Sequence, residues 1–173
     1  MKHLTPTDYR VQRWANGLGQ TVEMLRIEQD GALLARLSMA VVDADGPFSL
    51  FPGIERVLTV ISGPGFSLRG GGIALECPPL VPVAFSGDVA LQAVGTGGVA
   101  SEDLNVMTAR ALPRPEVSVL ESGSLPAGGL LVLVALKPAL VGPLALAPRE
   151  MVVTTEGAEV TGRVLAARLF GLP

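Results

Sequence analysis

Residues 36–63, RLSMAVVDADGPFSLFPGIERVLTVISG, decide the fold of this chain. Two β-strand patterns flank a loop, and three residues mark the segment. Gly46 opens it, Glu55 follows the loop, and Gly63 closes the strand predicted over 57–62. The six residues between Gly46 and Gly53, PFSLFP, include no histidine. The segment therefore predicts two β-strands joined by a loop.

The spacing of these three residues resembles the first motif of the cupin barrels. Metal-dependent cupins carry a His-x-His pair in the loop and a glutamate after it, and here only Glu55 is present. The single histidine is His3, in the terminal segment, and the single cysteine is Cys77. Transition-metal sites depend on clusters of such residues. We therefore predict a cupin scaffold that holds no metal and no other cofactor.

Composition indicates a β-rich protein with a substantial core. The 173 residues are 49% hydrophobic and 17% charged, and 21 Gly and 14 Pro interrupt the apolar runs. No run approaches the ~18 apolar residues of a membrane helix, so no membrane partner is expected. The net charge of −3, with no basic tract, argues against nucleic acid. One cysteine cannot form an internal disulfide, which favours a cytoplasmic location.

Strand signals follow one another along the whole chain. Residues 20–27 and 34–42 alternate between two faces, and Asp30-Gly31 predicts a hairpin turn between them. Helix signals are scarce. We predict an all-β bicupin, with two antiparallel β-barrels or sandwiches of jelly-roll type packed together. The Pro-rich segment 112–115 suggests the boundary, giving an N-terminal barrel over 1–112 and a shorter C-terminal barrel over 113–173.

Five motifs in a fixed order resemble the HutD/Ves family. They are WANGLGQTVE (14–23), RLSMA (36–40), GPFSLFPGIER (46–56), PVAFSGD (82–88) and DLNVM (103–107). The resemblance implies a cytoplasmic bicupin that is often encoded with histidine-degradation genes. It also implies a sensor or moderator of a pathway intermediate, such as urocanate or formylglutamate, rather than a catalyst.

Polar residues of the motif region predict a carboxylate-binding site. Arg36 and Ser38 share a strand face, and a guanidinium forms a planar fork that matches a carboxylate. Arg56 follows the loop and could point back into the barrel mouth. We expect the phenyl rings of Phe48, Phe51 and Phe85 to form walls that exclude water from this site. The predicted ligand-binding residues are Thr21, Glu23, Arg36, Ser38, Phe48, Ser49, Phe51, Arg56 and Phe85, with no catalytic residue and no metal ligand.

Other roles are open for several of these residues. Arg36 could form an internal ion pair with Glu23, because buried charges are normally paired. Arg56 could anchor the loop instead of a ligand. For Asp103 and Asn105 a structural role in closing the barrel is favoured over ligand binding. Trp14 is interpreted as a core or subunit-contact aromatic, and Asn16-Gly17 as part of a turn.

Two classes of function remain in consideration. The favoured one is a non-enzymatic protein that binds a small carboxylate and regulates histidine utilisation. The alternative is a metal-independent isomerase or lyase with Glu23 as the base, although an adjacent arginine would lower the pKa of that carboxylate. A purely structural subunit is a weaker third possibility. The apolar C-terminal half could also support a homodimer.

Overall fold

The structure is a computed structural model that describes residues 1–15, 17 and 19–173. The chain divides into two compact units: a motif unit over 10–110, and a second unit that combines 1–9 with 111–173. The first strands in chain order are β1 (Lys2–Leu4), β2 (Arg10–Arg13), β3 (Gln20–Gln29), β4 (Ala32–Val42), β5 (Gly46–Pro47), β6 (Ile54–Ser62), β7 (Phe66–Gly70), β8 (Ile73–Cys77) and β9 (Val83–Ser86). The others are β10 (Gln92–Val94), β11 (Ser101–Ala109), β12 (Glu116–Leu125), β13 (Leu130–Ala135), β14 (Ala139–Val141), β15 (Leu144–Leu146), β16 (Met151–Thr154) and β17 (Ala158–Leu169).

The prediction of an all-β chain with antiparallel sheets is confirmed. The named strands pair antiparallel, and one 3-10 turn, Pro6–Asp8, is the helical element of the described residues. The hairpin turn falls at the predicted place, with φ of 51° at Asp30 and 79° at Gly31. Within the part of the chain that the structure describes, no helix combines the length and apolar character that a membrane crossing requires.

Two antiparallel sheets build the motif unit. One has six strands in the order β2-β3-β4-β11-β6-β9, and the other has four in the order β5-β10-β7-β8. Alternating apolar residues of both sheets meet in one cluster, because successive side chains of a strand point to opposite faces. Its buried members are Val42, Leu58, Val60, Phe66, Leu68, Cys77, Phe85, Leu91 and Ala93. β6 begins at Ile54, so Arg56 lies inside a strand rather than at its opening.

The second unit is built on one seven-stranded sheet. Its order is β1-β16-β13-β17-β14-β15, and β12 also pairs with β17. Strands β13 and β16 are almost continuously apolar and buried, and β17 is continuously buried over its last six residues, 164–169. The structure differs here from the predicted division at residues 112 and 113. The N-terminal β1 pairs with β16, with Lys2 opposite Val153, so the first nine residues belong to the second unit.

The glycine that closes β6 should tolerate no side chain. Gly63 has a φ of +84°, and a Cβ there would lie 2.3 Å from the carbonyl oxygen of Ala100. Gly53 is a matched control, because it has a φ of +75° but open space around it. We expect Gly53→Ala to cost about 1 kcal/mol from backbone strain alone. Gly63→Ala should cost about 3 kcal/mol, since the overlap forces the backbone to shift.

Urea denaturation followed by circular dichroism measures both changes. Equal losses of unfolding free energy in the two variants would show that Ala100 moves freely, and that the contact at Gly63 does not hold the end of β6.

Candidate functional site

A cavity of about 610 Å³ opens in the motif unit. Strands β3, β4, β6 and β11 of the six-stranded sheet contribute much of its wall, and the loop between β4 and β6 contributes most of the rest. The lining residues are Trp14, Ala15, Thr21, Arg36, Ser38, Ala40, Val41, Val42, Asp43, Ala44, Asp45, Gly46, Pro47, Phe48, Ser49, Phe51, Arg56, Ala93, Asp103, Asn105 and Met107. A volume of this size suits a small organic ligand, since such pockets range over roughly 300–1,000 Å³.

Strand register places the polar side chains of the cavity in rows. In the first row, Met107 of β11 lies between Arg36 of β4 and Arg56 of β6. In the next row, Asn105 lies opposite Ser38. Asp103 lies two residues before Asn105, on the same face of β11. Directly opposed residues of an antiparallel pair share one face, so register alone brings both arginines, the amide and the carboxyl group to one wall.

One of the two arginines is neutralised inside the protein. Arg36 Nε donates to Glu23 Oε2 at 2.6 Å, and both side chains are less than a tenth exposed. Arg36 Nη2 also donates to Gln12 Oε1 at 3.3 Å. Glu23 accepts a second, longer contact from Arg26 at 3.4 Å. The internal ion pair is therefore formed. A carboxylate held by two guanidinium groups is unsuitable as the base proposed for the enzymatic alternative.

Arg56 is a buried cation without an anionic partner. Its Nη1 donates to the carbonyl oxygen of Ser49 at 3.1 Å and its Nη2 to Asn105 Oδ1 at 2.9 Å, both neutral acceptors. Its Nε is buried and has no hydrogen-bond partner. No carboxylate of the described residues forms an ion pair with it. Burial lowers the pKa of Arg56 to about 10, against the opposing effect of Asp103, so the group stays charged at neutral pH.

Three phenyl rings surround the Arg56 guanidinium. Its central carbon lies 5.5 Å from the ring centre of Phe48, 5.1 Å from that of Phe51 and 4.9 Å from that of Phe85. A cation over an aromatic face is attracted to the ring, and the attraction increases when water is excluded. The rings therefore compensate part of the desolvation of Arg56 and fix its orientation. They supply no counter-charge.

Asp103 is the second unusual group of this wall. It is 1% exposed, and its Oδ1 accepts a hydrogen bond from Asn105 Nδ2. Its Oδ2 is buried without a partner. Burial raises the pKa of Asp103 to about 7, although the Arg56 charge and the Asn105 hydrogen bond oppose the shift. At neutral pH this carboxyl group is therefore divided between its charged and neutral forms.

An aromatic residue and a hydrogen-bonded loop also contribute to the cavity wall. Trp14 lines the wall, is 37% exposed, and donates from Nε1 to Thr21 Oγ1 at 2.9 Å. The structure thus places Trp14 at the cavity rather than in a core. On the loop between β4 and β6, Asp45 accepts hydrogen bonds from the Gly95 and Thr96 amides and from the Thr96 hydroxyl. This clamp fixes the loop that carries Phe48.

Most of the predicted ligand-binding residues line this cavity. Those on the wall are Thr21, Arg36, Ser38, Phe48, Ser49, Phe51 and Arg56. Two do not reach it: Glu23 is the partner of Arg36, and Phe85 belongs to the buried core, with its ring against Arg56. The predicted turn residue Asn16 lies outside the described residues.

Sequence reasoning underestimated Asp103 and Asn105, which were interpreted as structural. Both lie on the cavity wall beside Arg56, and Asn105 bonds to it directly. Their alternation with Met107 on one strand was the available signal, but the register that places them opposite the arginines is a property of the sheet. Within the described residues, no three His, Cys, Asp or Glu side chains are grouped so that they could hold a metal ion.

The fold and the cavity define the class of this protein: an all-β protein of antiparallel sheets whose cavity carries arginine, amide and carboxyl side chains. The chain belongs to the HutD family, whose model matches residues 6–161. It is similar to protein Ves of Citrobacter koseri, with 34% identity over 113 residues. That match covers 64% of this chain and 59% of Ves.

Solved structures of similar proteins extend the likeness to nearly the whole chain. HutD from Pseudomonas fluorescens SBW25, described for a formate condition, has a TM-score of 0.88 at 25% identity. A conserved protein of unknown function from Pseudomonas aeruginosa PAO1 has a TM-score of 0.84 at 27% identity. Each comparison covers 97% of both chains.

Proposed function

We propose that the motif unit binds a small carboxylate without catalysing its conversion, and that the chain acts as a sensor or regulator of histidine utilisation. The observation that carries the proposal is Arg56. It is a buried guanidinium on a cavity wall, with a free Nε–H and no ionic partner among the described residues. An unpaired buried charge is costly, and a bound anion would compensate it.

The charges of the cavity favour a single carboxylate group at Arg56. Arg36 is balanced by Glu23, so Arg56 is the cation left for a ligand. A guanidinium pairs strongly with a carboxylate because its N–H groups form a planar fork. The phenyl rings around Arg56 and the apolar parts of the wall would exclude water from the pair. The ligand's remaining atoms would lie toward Thr21 and Trp14.

Family membership supports the choice of ligand and role. The family resemblance implies a role in histidine utilisation, so urocanate and formylglutamate are the first acids to test. The formate condition of the Pseudomonas fluorescens structure suggests formate as the simplest carboxylate probe. A cytoplasmic location and a homodimer stay predictions.

A thermal-shift titration tests the proposal. Urocanate, formylglutamate, histidine, glutamate and imidazolepropionate are added to wild type and to Arg56→Lys, with sodium chloride at matched ionic strength as the control. A ligand at a hundred times its Kd stabilises by about 2.7 kcal/mol, which is about 5–10 °C for a chain of this size. We expect this shift with one acid, and a smaller one in Arg56→Lys, which keeps the charge but lacks the fork.

An absence of any shift at millimolar acid would contradict carboxylate binding by this chain. A shift of equal size with sodium chloride would contradict a site specific for carboxylates. An equal shift in wild type and Arg56→Lys would show that the fork of Arg56 is not what recognises the acid.

One observation favours a second candidate function, a metal-independent isomerase or lyase. Asp103, with its pKa raised by burial to about 7, is suited to proton transfer near neutral pH. It replaces Glu23 as the candidate base. Proton NMR of each acid with the protein in D₂O would reveal exchange or conversion, and either result would favour the enzyme over the sensor.

A further inference from the structure

The carboxyl group of Asp103 has one satisfied oxygen and one free oxygen. Oδ1 accepts from Asn105, whose own Oδ1 accepts from Arg56. Oδ2 has no partner although the residue is 1% exposed and lines the cavity. Buried polar atoms are normally hydrogen-bonded. Asp103 Oδ2 thus lacks a hydrogen bond in a cavity that also holds an unpaired cation. This combination indicates a position where a ligand atom forms the missing hydrogen bond.

The titratable groups around Asp103 come from its own strand, from the neighbouring strands and from the loop of the cavity. On its own strand Glu102 precedes it, and on the four-stranded sheet lies Cys77, whose thiol pKa is raised by burial and further by the nearby Asp103 charge. From the neighbouring strands, β6 contributes Arg56 and β4 contributes Arg36, which is balanced by Glu23 of β3. Two further carboxylates of the cavity, Asp43 and Asp45, lie on its loop.

We propose that Asp103 is a ligand-binding residue that acts in its neutral form, so that the carboxylate on Arg56 is bound together with one proton held at Asp103 Oδ2. This inference rests on the proposed carboxylate site. The proton on Oδ2 donates a hydrogen bond to the ligand, and the class of ligand is a small monocarboxylate.

Charge balance is the reason for the coupled proton. With Asp103 ionised, a bound carboxylate would place two anions beside one uncompensated cation, Arg56. Like charges in a shared buried site raise the pKa of one of them, so anion binding drives protonation of Asp103. A neutral carboxylic acid is also a strong donor to a carboxylate oxygen. Protonation is accessible because burial already holds the pKa of Asp103 at about 7.

The coupling predicts a specific pH profile. Below about pH 7 the free protein already holds the proton, so the Kd of formate should be constant there. Above it, each unit of pH should raise the Kd about tenfold, because one proton must be taken up with the anion. Asp103→Asn, which mimics the neutral carboxylic acid in shape and charge, should bind formate at pH 8.5 as tightly as wild type does at pH 6.

NMR titration with sodium formate between pH 6 and 9 measures these constants, at fixed ionic strength set with sodium chloride. A carboxylate probe is ionised throughout this range, so only the protein titrates. A flat profile in wild type would overturn the inference while leaving carboxylate binding intact. The same pH dependence in Asp103→Asn and wild type would overturn it too, since the titrating group would then be another residue.

A second measurement covers the case in which Asp103→Asn does not fold. The ¹³C signal of the Asp103 carboxyl group in wild type reports its pKa directly, and saturating formate should raise that pKa by at least one unit. An unchanged pKa would overturn the inference. If neither formate nor urocanate binds at any pH, the proposed carboxylate site itself fails, and that result is distinct from a flat profile.

Discussion

Replacing Arg56 with methionine should weaken carboxylate binding at least about 100-fold while leaving the unliganded protein nearly as stable as wild type. Affinity and stability respond differently because Arg56 contributes more to ligand binding than to folding. Removing one partner of a buried ion pair costs about 3–5 kcal/mol, and here the ligand carboxylate would lose its counter-charge. The Kd measured by calorimetry or NMR with formate or urocanate reports this loss.

The stability part of the same prediction follows from burial. Arg56 is 5% exposed, and burial lowers its pKa, which means that the folded state disfavours its charge. Replacing a buried charge with an apolar group of similar length is often neutral or stabilising. The variant loses the hydrogen bonds to Ser49 and Asn105, which opposes the gain. We expect the free energy of unfolding to change by no more than about 1 kcal/mol.

Arg69→Met is the matched control for this substitution. Arg69 belongs to the same unit, is 41% exposed, and pairs with Glu76 away from the cavity. Arg69→Met should leave the Kd for formate and urocanate unchanged. A loss of more than 3 kcal/mol of stability in Arg56→Met, with binding retained, would show that Arg56 anchors the loop between β4 and β6 and does not recognise the ligand.

The fold was largely predictable because its signals are local. Alternation in 20–27 and 34–42 predicted the strands that became β3 and β4, and Asp30-Gly31 predicted their turn. The three-residue β1 escaped prediction for a physical reason. Its residues, KHL, carry no alternation of their own, and they form a strand only by pairing with Met151–Thr154 at the other end of the chain.

The site was predictable only in part, because a cavity is made by register. The loop residues Phe48 and Phe51 and the two arginines were found from motif spacing and residue chemistry. Alternation could not show that Phe85 lies beside Arg56 without lining the cavity. Nor could it show that Asp103 lies beside Arg56, since that depends on how β11 aligns with β6.

Replacing Glu23 with glutamine should produce the largest loss of stability among substitutions around the cavity. Glu23 is 6% exposed and is the anionic partner of the buried Arg36. Glutamine keeps the shape but removes the charge, so Arg36 is left as a second uncompensated cation. Breaking a buried pair in this way costs about 3–5 kcal/mol. For a chain of this size the melting temperature should fall by about 6–20 °C.

Added anion should reverse part of this loss. With Arg36 released, the wall carries two cations instead of one, and formate at a fixed concentration should raise the melting temperature of Glu23→Gln more than that of wild type. Glu28→Gln is the control, because Glu28 pairs with Arg26 at the surface, where both side chains are about two-fifths exposed. Exposed pairs contribute roughly 0–1 kcal/mol. If both variants lose the same small free energy of unfolding, the Arg36–Glu23 pair is solvated. Arg56 is then not the one uncompensated cation of the wall.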